Sequence, residues 1–322
     1  MEKAIEQLKI AVLAGGIGSE REVSLQSGQN IYNALLEGGF NAVLSDITPD
    51  DLRILDDGSI DVFFLALHGQ FGEDGGVQKI LEDKNLCFTG AGSEASRKAF
   101  DKLLSKQVFF HAHLPIAKHL IVESGDTPEY LEKQLKKLAN KFVIKPLKQG
   151  SSVGIEILSD TSTAAAKALA CFQLYGDCMV EEFIAGREIT AGIIHGAPMP
   201  LIEIRSKTGF YDYQAKYVDD ATEYLFDTIK NNGLVEKIQQ MALTCFHELG
   251  CRHLSRVDFI LTEDNIPYIL EINTLPGFTS HSLLPMAARK AGIPTPVLCK
   301  QIVEAAWKEY QSEILNLKPD IL

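Results

Sequence analysis

The sequence predicts an α/β protein built from three units, and two observations carry this prediction. Its 322 residues exceed what one small core fills and correspond to two or three domains of about 100–200 residues each. Near the N-terminus, short apolar strands alternate with helical patterns, which is typical of a parallel sheet covered by helices. We therefore expect an N-terminal unit at 1–95 with a parallel sheet, a central unit at 96–184 and a C-terminal unit at 185–322.

The predicted N-terminal unit starts with an apolar strand at 10–14, which ends at a pair of glycines. A helical pattern follows from about Val23 to Leu36. It stops at Gly38–Gly39, because glycine is common just past the end of a helix. Two further strands are expected at 41–46 and 61–67, and they complete the small parallel sheet.

The other two units are predicted from the same kinds of pattern. The central unit comprises, in chain order, helices at about 93–110 and 127–139, strands at 142–145 and 154–158, a helix near 162–172 and a strand at 178–184. The C-terminal unit comprises strands at 188–195 and 199–204, a polar loop rich in tyrosine at 205–220, a helix with an apolar stripe from Leu234 to Leu249, strands at 253–261 and 267–272, and helices at 283–290 and 295–314.

Composition argues against several classes of protein. The net charge is -12, which argues against a nucleic-acid binder and against docking on anionic lipid, because both need a basic surface. The longest strictly apolar run, near 62–67, is far short of the roughly 20 residues of a membrane span. No apolar segment follows a basic N-terminus, and the six cysteines are scattered. We therefore expect a soluble, cytoplasmic protein with reduced thiols.

The most informative residues lie on the strands at 253–261 and 267–272, which a short connection joins as a hairpin. If the turn is centred on residues 264 and 265, Asp258 faces Glu271 and Arg256 faces Asn273. Because side chains alternate along a strand, all four then lie on one face of the hairpin.

Two carboxylates that face each other repel, so a positive group must lie between them. Arg256 is one candidate for that group. Two carboxylates with an amide oxygen also form a set of hard ligands that suits Mg²⁺ held jointly with phosphates. Val257, Phe259 and Ile269 mark the opposite face as buried, which favours a metal site. A surface salt-bridge patch is the alternative, and a shift of one residue in register would remove the argument.

Four other segments are weighed as candidates for binding. The segment 145–154 begins with a lysine at the end of a strand and continues as a Gly/Ser loop. It either cradles phosphates or forms an ordinary hairpin turn. The glycines at 15–18 fail the dinucleotide fingerprint, because Arg21 stands where a third small residue belongs. His68 ends a strand where α/β sites form, or is a loop histidine with one backbone hydrogen bond. Three tyrosines and a lysine at 211–217 form a lid or pack beneath a loop.

The informative segments, in chain order, are Glu20–Ser24, Ala66–Gly69, Lys145–Pro146 with Gly150–Gly154, Tyr211–Tyr217, Arg256–Asp258 and Glu271–Leu283. Together they resemble the D-alanine–D-alanine ligase family of ATP-grasp enzymes, from about residue 10 to about residue 310. The resemblance implies a three-domain fold with a parallel-sheet N-terminal domain, a central lid domain and a C-terminal mixed-sheet domain, and ATP between the last two. It also implies that ATP phosphorylates the carboxylate of one D-alanine. The amine of a second D-alanine then attacks the acyl phosphate, and the product serves peptidoglycan synthesis.

The resemblance further implies roles for individual residues. Catalysis would involve Glu20, Ser151, Tyr217, Arg256 and the backbone N–H of Gly277. The two D-alanines would contact His68, Lys216, Ser282 and Leu283. ATP would contact Lys102, Lys145, Ser152, Glu181, Glu182, Phe183, Ile184 and Glu188. Two Mg²⁺ or Mn²⁺ ions would be held by Asp258, Glu271 and Asn273, and a homodimer is expected.

Three alternatives stay open at this point. The nearest is a D-alanine–D-lactate ligase or another ATP-grasp carboxylate–amine ligase. In the D-lactate branch the loop bearing Tyr217 is replaced, whereas Tyr211, Lys216 and Tyr217 are all present here. A nucleotide-binding module without catalysis would need a broken metal set or a missing Arg256. A scaffold protein would release no phosphate when D-alanine and Mg-ATP are added.

Overall fold

The described residues form three β-sheets, and each is built from one stretch of the chain. The computed structural model describes residues 3–206 and 222–317. Its strands are β1 (Lys9–Gly15), β2 (Asn41–Ile47), β3 (Val62–Leu65), β4 (His119–Ile121), β5 (Phe142–Lys145), β6 (Glu156–Leu158), β7 (Met179–Glu182), β8 (Arg187–Ile194), β9 (Ala197–Pro198), β10 (Ile202–Arg205), β11 (Glu223–Phe226), β12 (Leu254–Leu261) and β13 (Pro267–Asn273). Its α-helices are α1 (Arg21–Glu37), α2 (Gly76–Asp83), α3 (Ser93–Phe100), α4 (Lys102–His111), α5 (Pro128–Leu138), α6 (Thr161–Tyr175), α7 (Asn232–Glu248), α8 (Leu283–Lys290) and α9 (Thr295–Leu317).

The first sheet is parallel, as predicted, and its strand order is β2-β1-β3. Helix α1 packs on β1 and β2 and ends where Gly39 adopts a φ of +85°, a conformation that glycine enters without strain. The buried Ser24 hydroxyl accepts the Gly15 N–H (2.8 Å) and donates to the Ala66 carbonyl (2.9 Å). Ser24 therefore ties β1 to the chain just beyond β3, where the loops of the site begin.

The core of the first sheet is completed by the C-terminal helices. Val12 and Phe64 belong to the same buried cluster as Leu298 and Ile302 of α9. Helix α9 also packs along α1. Burial of this shared apolar surface holds the first and third sheets together, because the hydrophobic effect scales with the apolar area removed from water.

The second and third sheets are antiparallel. The second has the order β4-β7-β5-β6 and is covered by α5 and α6. The third has the order β11-β10-β8-β12-β13, with β9 beside β8. Among the described residues, every strand pair of this sheet is antiparallel, and one isolated parallel bridge joins Ile116 to Ile269 in β13. The predicted apolar stripe of α7 packs against it, with Ile238 and Cys245 fully buried.

The predicted continuous helix at 93–110 is wrong. Asp101 leaves the helical conformation, with ψ at 107°, and separates α3 from α4. Its carboxylate accepts the N–H groups of Leu103 (3.0 Å) and Leu104 (3.2 Å), so it is the N-cap of α4. The break makes Lys102 the first residue of α4. The short elements α2, β4 and β11 were also missed by the sequence patterns.

The remaining fold predictions have mixed outcomes. All six cysteines are buried free thiols, as expected. In residues 3–206 and 222–317, no helix is both long enough and apolar enough to cross a membrane. The unit boundaries near 95 and 184 stay predictions.

Candidate active site

Two adjoining cavities contain every predicted site residue that the structure describes. The first is lined by Glu20, His68, Ser151, Arg256, Asn273, Gly277, Ser282 and Leu283. The second is lined by Lys145, Ser152, Glu181, Glu182, Phe183, Ile184, Glu188 and Asp258. Lys102 and Glu271 line both cavities, so the two cavities meet at these side chains. Lys216 and Tyr217, with the rest of the tyrosine loop, lie outside the described residues.

The hairpin of β12 and β13 pairs as predicted at its site end. Asp258 lies opposite Glu271, and Arg256 lies opposite Asn273. Further along the hairpin the register changes by one, because Phe259 pairs with Ile269. Leu270 is therefore an extra residue, a β-bulge.

The bulge compensates for the turn, which is centred on Asp264, half a position earlier than predicted. The turn runs from Thr262 to Ile266, whose carbonyl accepts the Thr262 N–H at 3.1 Å. Without a bulge, this turn would place Asp258 opposite Leu270. The extra residue restores the pairing of Asp258 with Glu271. It also explains the burial of Ile269, which strict alternation would place on the same face as Glu271.

Asp258 is buried and surrounded by hydrogen-bond donors. Arg256 donates from Nε to Oδ1 (2.9 Å) and from Nη2 to Oδ2 (2.8 Å). Thr190 on β8 donates its hydroxyl to Oδ1 at 2.6 Å, and Asn273 Nδ2 donates to Oδ2 at 3.1 Å. The guanidinium group of Arg256 thus balances Asp258, which accounts for one of the two opposed carboxylates.

The donor set of this face fits a hard divalent cation. Asp258, Glu271 and Asn273 supply two carboxylates and an amide at the junction of the two cavities. Among the described residues, no group of three or more His, Cys, Asp and Glu side chains is arranged to hold a metal ion. Two carboxylates leave coordination positions for other oxygens, and Mg²⁺ is usually held in this way, together with phosphates and water.

Glu20 sits where three segments approach each other. It precedes α1, and its Oε1 accepts a hydrogen bond from the Ser151 hydroxyl in the loop between β5 and β6. A Cβ added at Gly69 would lie 2.3 Å from Glu20 Oε2, and one added at Gly150 would lie 3.0 Å from it. A side chain at Gly69 would therefore force this carboxylate to move, whereas one at Gly150 would displace it by only a few tenths of an ångström.

His68 is held from two sides in the first cavity. Its Nε2 lies 3.0 Å from the Ser27 hydroxyl, which also accepts the Phe278 N–H at 3.2 Å. Its Nδ1 lies 4.0 Å from Oε1 of Glu73, a cavity residue that the sequence patterns missed. Oε2 of Glu73 accepts the Gly69 N–H at 2.9 Å, so this carboxylate fixes the loop after His68.

Gly277 lies against Ser282 at the start of α8. A Cβ at Gly277 would lie 2.8 Å from Ser282 Oγ and 3.7 Å from His68 Nε2. Ser282 Oγ accepts the Thr279 N–H at 2.8 Å, which shapes the turn that leads into the helix. The first N–H groups of α8 then carry the partial positive charge of a helix N-terminus beside the first cavity.

Three charged side chains form a buried line beneath the second cavity. Glu181 Oε1 lies 2.6 Å from Lys106 Nζ, and its Oε2 lies 2.6 Å from Lys145 Nζ. Burial raises the pKa of Glu181, but the charges of Lys145 and Lys106 overcome this effect and hold the pKa at about 2. Lys106 was missed by the sequence analysis, although it lies four residues after Lys102 and hence on the same face of α4.

The strand that contains Glu181 continues as an edge of the second cavity. The N–H groups of Glu182 and Phe183 donate to the carbonyls of Lys118 and Lys141, each at 2.9 Å. Glu182 Oε1 accepts the Lys118 N–H at 2.9 Å, so this side chain is turned towards the chain rather than the cavity. Across the part of the chain that the structure describes, the Ile184 N–H makes no hydrogen bond and is open to a ligand.

Lys102 links the two cavities to the Gly/Ser loop. Its Nζ donates to the Gln149 carbonyl at 2.6 Å, and its own N–H donates to the Leu147 carbonyl at 3.1 Å. The loop itself is bent: Ser151 and Ser152 both have positive φ, at 49° and 60°.

The family assignment is decided by comparison with known proteins. The family model described as D-ala D-ala ligase C-terminus matches residues 108–304. A D-alanine–D-alanine ligase from Pelobacter propionicus is 41% identical over 303 residues, which cover 94% of this chain and 97% of that protein. The chain belongs to the D-alanine–D-alanine ligase family.

Further family members agree with this assignment. The D-alanine–D-alanine ligase from Desulforamulus reducens is 39% identical over 311 residues, 94% of this chain and 99% of that protein. Among solved structures, the ligase from Bacillus anthracis complexed with ATP has a TM-score of 0.82 and 29% identity, and the match covers 95% of this chain and 99% of that one. VanG D-Ala:D-Ser ligase from Enterococcus faecalis has a TM-score of 0.80 and 25% identity, with coverage of 93% and 99%.

Proposed function

We propose that this protein joins two D-alanines into D-alanyl-D-alanine at the expense of ATP, as a step of peptidoglycan synthesis. Its membership of the D-alanine–D-alanine ligase family supports this, as does its similarity to a ligase complexed with ATP. The observation that carries the proposal is the junction of the two cavities at Lys102 and Glu271. A phosphoryl group can pass from a nucleotide in one cavity to a carboxylate in the other only where the two meet.

ATP is proposed to occupy the second cavity. Lys102 and Lys145 would contact its phosphates, under the loop that contains Ser152. The open Ile184 N–H is suited to a ring nitrogen of adenine, and Glu188 is suited to a ribose hydroxyl. When bound at Asp258, Glu271 and Asn273, Mg²⁺ would neutralise the charge that develops on the transferred phosphoryl group.

The two D-alanines are proposed to occupy the first cavity. Glu20 would bind the ammonium group of the first, and His68 would lie near its carboxylate. Arg256 and the Gly277 N–H would hold the oxyanion that forms when the second amine attacks the acyl phosphate, and one such donor is worth about 3–4 kcal/mol. Ser282 and Leu283, at the positive end of α8, would receive the second carboxylate.

The remaining expectations are part of the same proposal. On the family resemblance of their loop alone, Tyr217 is proposed to connect with Glu20 and Ser151 in catalysis, and Lys216 is proposed to lie near the phosphate. The three sheets are proposed to mark units at 1–95, 96–184 and 185–322, and the protein is proposed to be a homodimer. A D-lactate or D-serine ligase is less favoured, because relatives at about 40% identity are D-alanine–D-alanine ligases, whereas the D-Ala:D-Ser enzyme is 25% identical.

Phosphate release tests the proposal directly. Purified protein with Mg-ATP should release phosphate when D-alanine is added, and mass spectrometry should detect the D-alanine dipeptide in equal amount. Glu271→Gln should abolish release, whereas Glu263→Gln, an exposed change in the same hairpin, should leave it unchanged. Release without dipeptide, or no release in the unmodified protein, would refute the proposed function.

A further inference from the structure

Lys106 is a buried charge that the proposed reaction leaves without a role. Its side chain is 1% exposed, and it does not line either cavity at the site. It lies one helical turn beyond Lys102, and its ammonium is 2.6 Å from Glu181 Oε1. The contact is a close ion pair. Among the described residues, neither Lys106 Nζ nor Glu181 Oε1 has a partner at angles suited to a hydrogen bond.

Lys106, Glu181 and Lys145 together carry an excess of one positive charge, and the charge of Glu271, at the junction of the two cavities, also acts on Lys106. Glu181 carries one negative charge between two ammonium groups, those of Lys106 and Lys145. Lys145 and Glu181 line the second cavity, whereas Lys106 lies behind them. Without Lys106, Glu181 would compensate Lys145 completely, and the pair would present no net charge to a ligand.

We propose that Lys106 is a positioning residue for the nucleotide: it offsets Glu181, so that the charge of Lys145 stays available to the phosphates of ATP. The inference rests on the proposed function and adds a residue that never touches the ligand. Low dielectric inside the protein makes the effect large, since charges interact far more strongly there than in water.

The buried surroundings of the three groups support this role. Burial lowers the pKa of Lys106, and the charge on Glu181 counteracts that shift. Removing one partner of a buried ion pair is strongly unfavourable, so each group depends on the others to stay ionised. Loss of a salt bridge needed only for folding would weaken the binding of ATP and adenosine alike.

The test compares ATP with adenosine, which lacks the phosphates. Dissociation constants for both would be measured by calorimetry at fixed Mg²⁺ for the unmodified protein, Lys106→Met and the double variant Lys106→Met/Glu181→Gln. Any contact with adenine or ribose is common to the two ligands, so it cancels in the ratio of the two constants. Lys136→Met is the matched control, because it removes one positive charge from the exposed surface of α5.

Lys106→Met should weaken ATP binding about tenfold or more and leave adenosine binding nearly unchanged, because one buried charge near the phosphates is lost. The double variant should recover most of the preference for ATP over adenosine, since it removes the uncompensated carboxylate as well. Equal losses for ATP and adenosine, or a double variant whose preference for ATP is no better than that of Lys106→Met, would overturn the inference. If the unmodified protein binds no ATP, the proposed function fails instead.

A second variant keeps the inference testable if Lys106→Met does not fold, which a thermal scan would reveal. Glu181→Gln alone removes the negative charge beside Lys145. Its preference for ATP over adenosine should equal or exceed that of the unmodified protein. A tenfold fall in this preference would contradict the role assigned to Lys106.

Discussion

The variant Gly69→Ala tests the role of Glu20, because the added methyl group would press directly on the Glu20 carboxylate. The Cβ of Gly69→Ala would lie 2.3 Å from Glu20 Oε2, whereas ordinary contact begins at 3.4 Å. The carboxylate must therefore retreat by about 1.1 Å, the difference between these two distances. Such a shift would also disturb the hydrogen bond from the Ser151 hydroxyl.

The expected effect of Gly69→Ala has two parts, the backbone strain of alanine at positive φ and the displacement of Glu20. Gly39→Ala has the strain alone. Gly69 has a φ of +66°, and Gly39 has a φ of +85° with no atom within 4 Å of an added Cβ. Each alanine costs about 1–2 kcal/mol of stability, because an L-residue is strained in this conformation. Only Gly69→Ala moves Glu20, and a misplacement of about 1 Å at a reacting site costs about 100-fold in rate.

The assay measures phosphate release as a function of D-alanine, together with urea unfolding of each variant. Gly69→Ala should lower kcat/KM for D-alanine about 100-fold, while Gly39→Ala should keep it within about twofold of the unmodified enzyme. Both variants should lose similar stability. Equal kinetics in the two variants would show that the position of Glu20 does not matter to the reaction.

Three further predictions concern other parts of the site. Thr190→Val removes the hydroxyl that bonds Asp258, so a metal titration should show a Mg²⁺ requirement about 10–100-fold higher, whereas Thr190→Ser should change it little. Ser24→Ala leaves a buried N–H and carbonyl without their partner and should cost about 1–3 kcal/mol in urea unfolding, against no change for the exposed Ser124→Ala. Although burial raises it, two lysines hold the pKa of Glu181 at about 2, below the ordinary 4.5. The stability from this carboxylate is therefore present above pH 4.5 and lost as the pH falls towards 2, and Glu181→Gln should unfold in urea without that loss.

The β12–β13 hairpin explains both the success and the limit of the sequence analysis. Alternation and the length of the connection were enough to place Asp258 opposite Glu271. The prediction assumed a regular ladder, however, and the real hairpin contains a turn and a bulge whose shifts cancel. A bulge leaves no clear mark in the sequence, because Leu270 is as ordinary in a strand as any apolar residue.

Helix α4 illustrates a different failure. Asp101 carries a recognisable signal, since aspartate is a preferred N-cap, but the helical pattern on both sides hid the break. Lys106 carries no signal at all, because an isolated lysine in a helix is normally exposed. Its burial depends on β7 placing Glu181 against α4, and only the tertiary structure contains that contact.

The two cavities also differ in how far along the chain their parts are separated. Lys145, Glu181 and Glu188 of the cavity proposed for the nucleotide lie within 43 positions of one another, although Asp258 and Glu271 join them from the third sheet. The other cavity joins Glu20 to Ser151, which are 131 positions apart, and sets His68 beside Gly277. The contacts of Glu20 with Ser151 and of His68 with Gly277 form only when the first sheet packs against α9 and the Gly/Ser loop lies beside α1. We therefore expect the cavity proposed for D-alanine to be the part most sensitive to packing between the sheets, and substitutions in the shared core of β1 and α9 should impair D-alanine binding before they impair ATP binding.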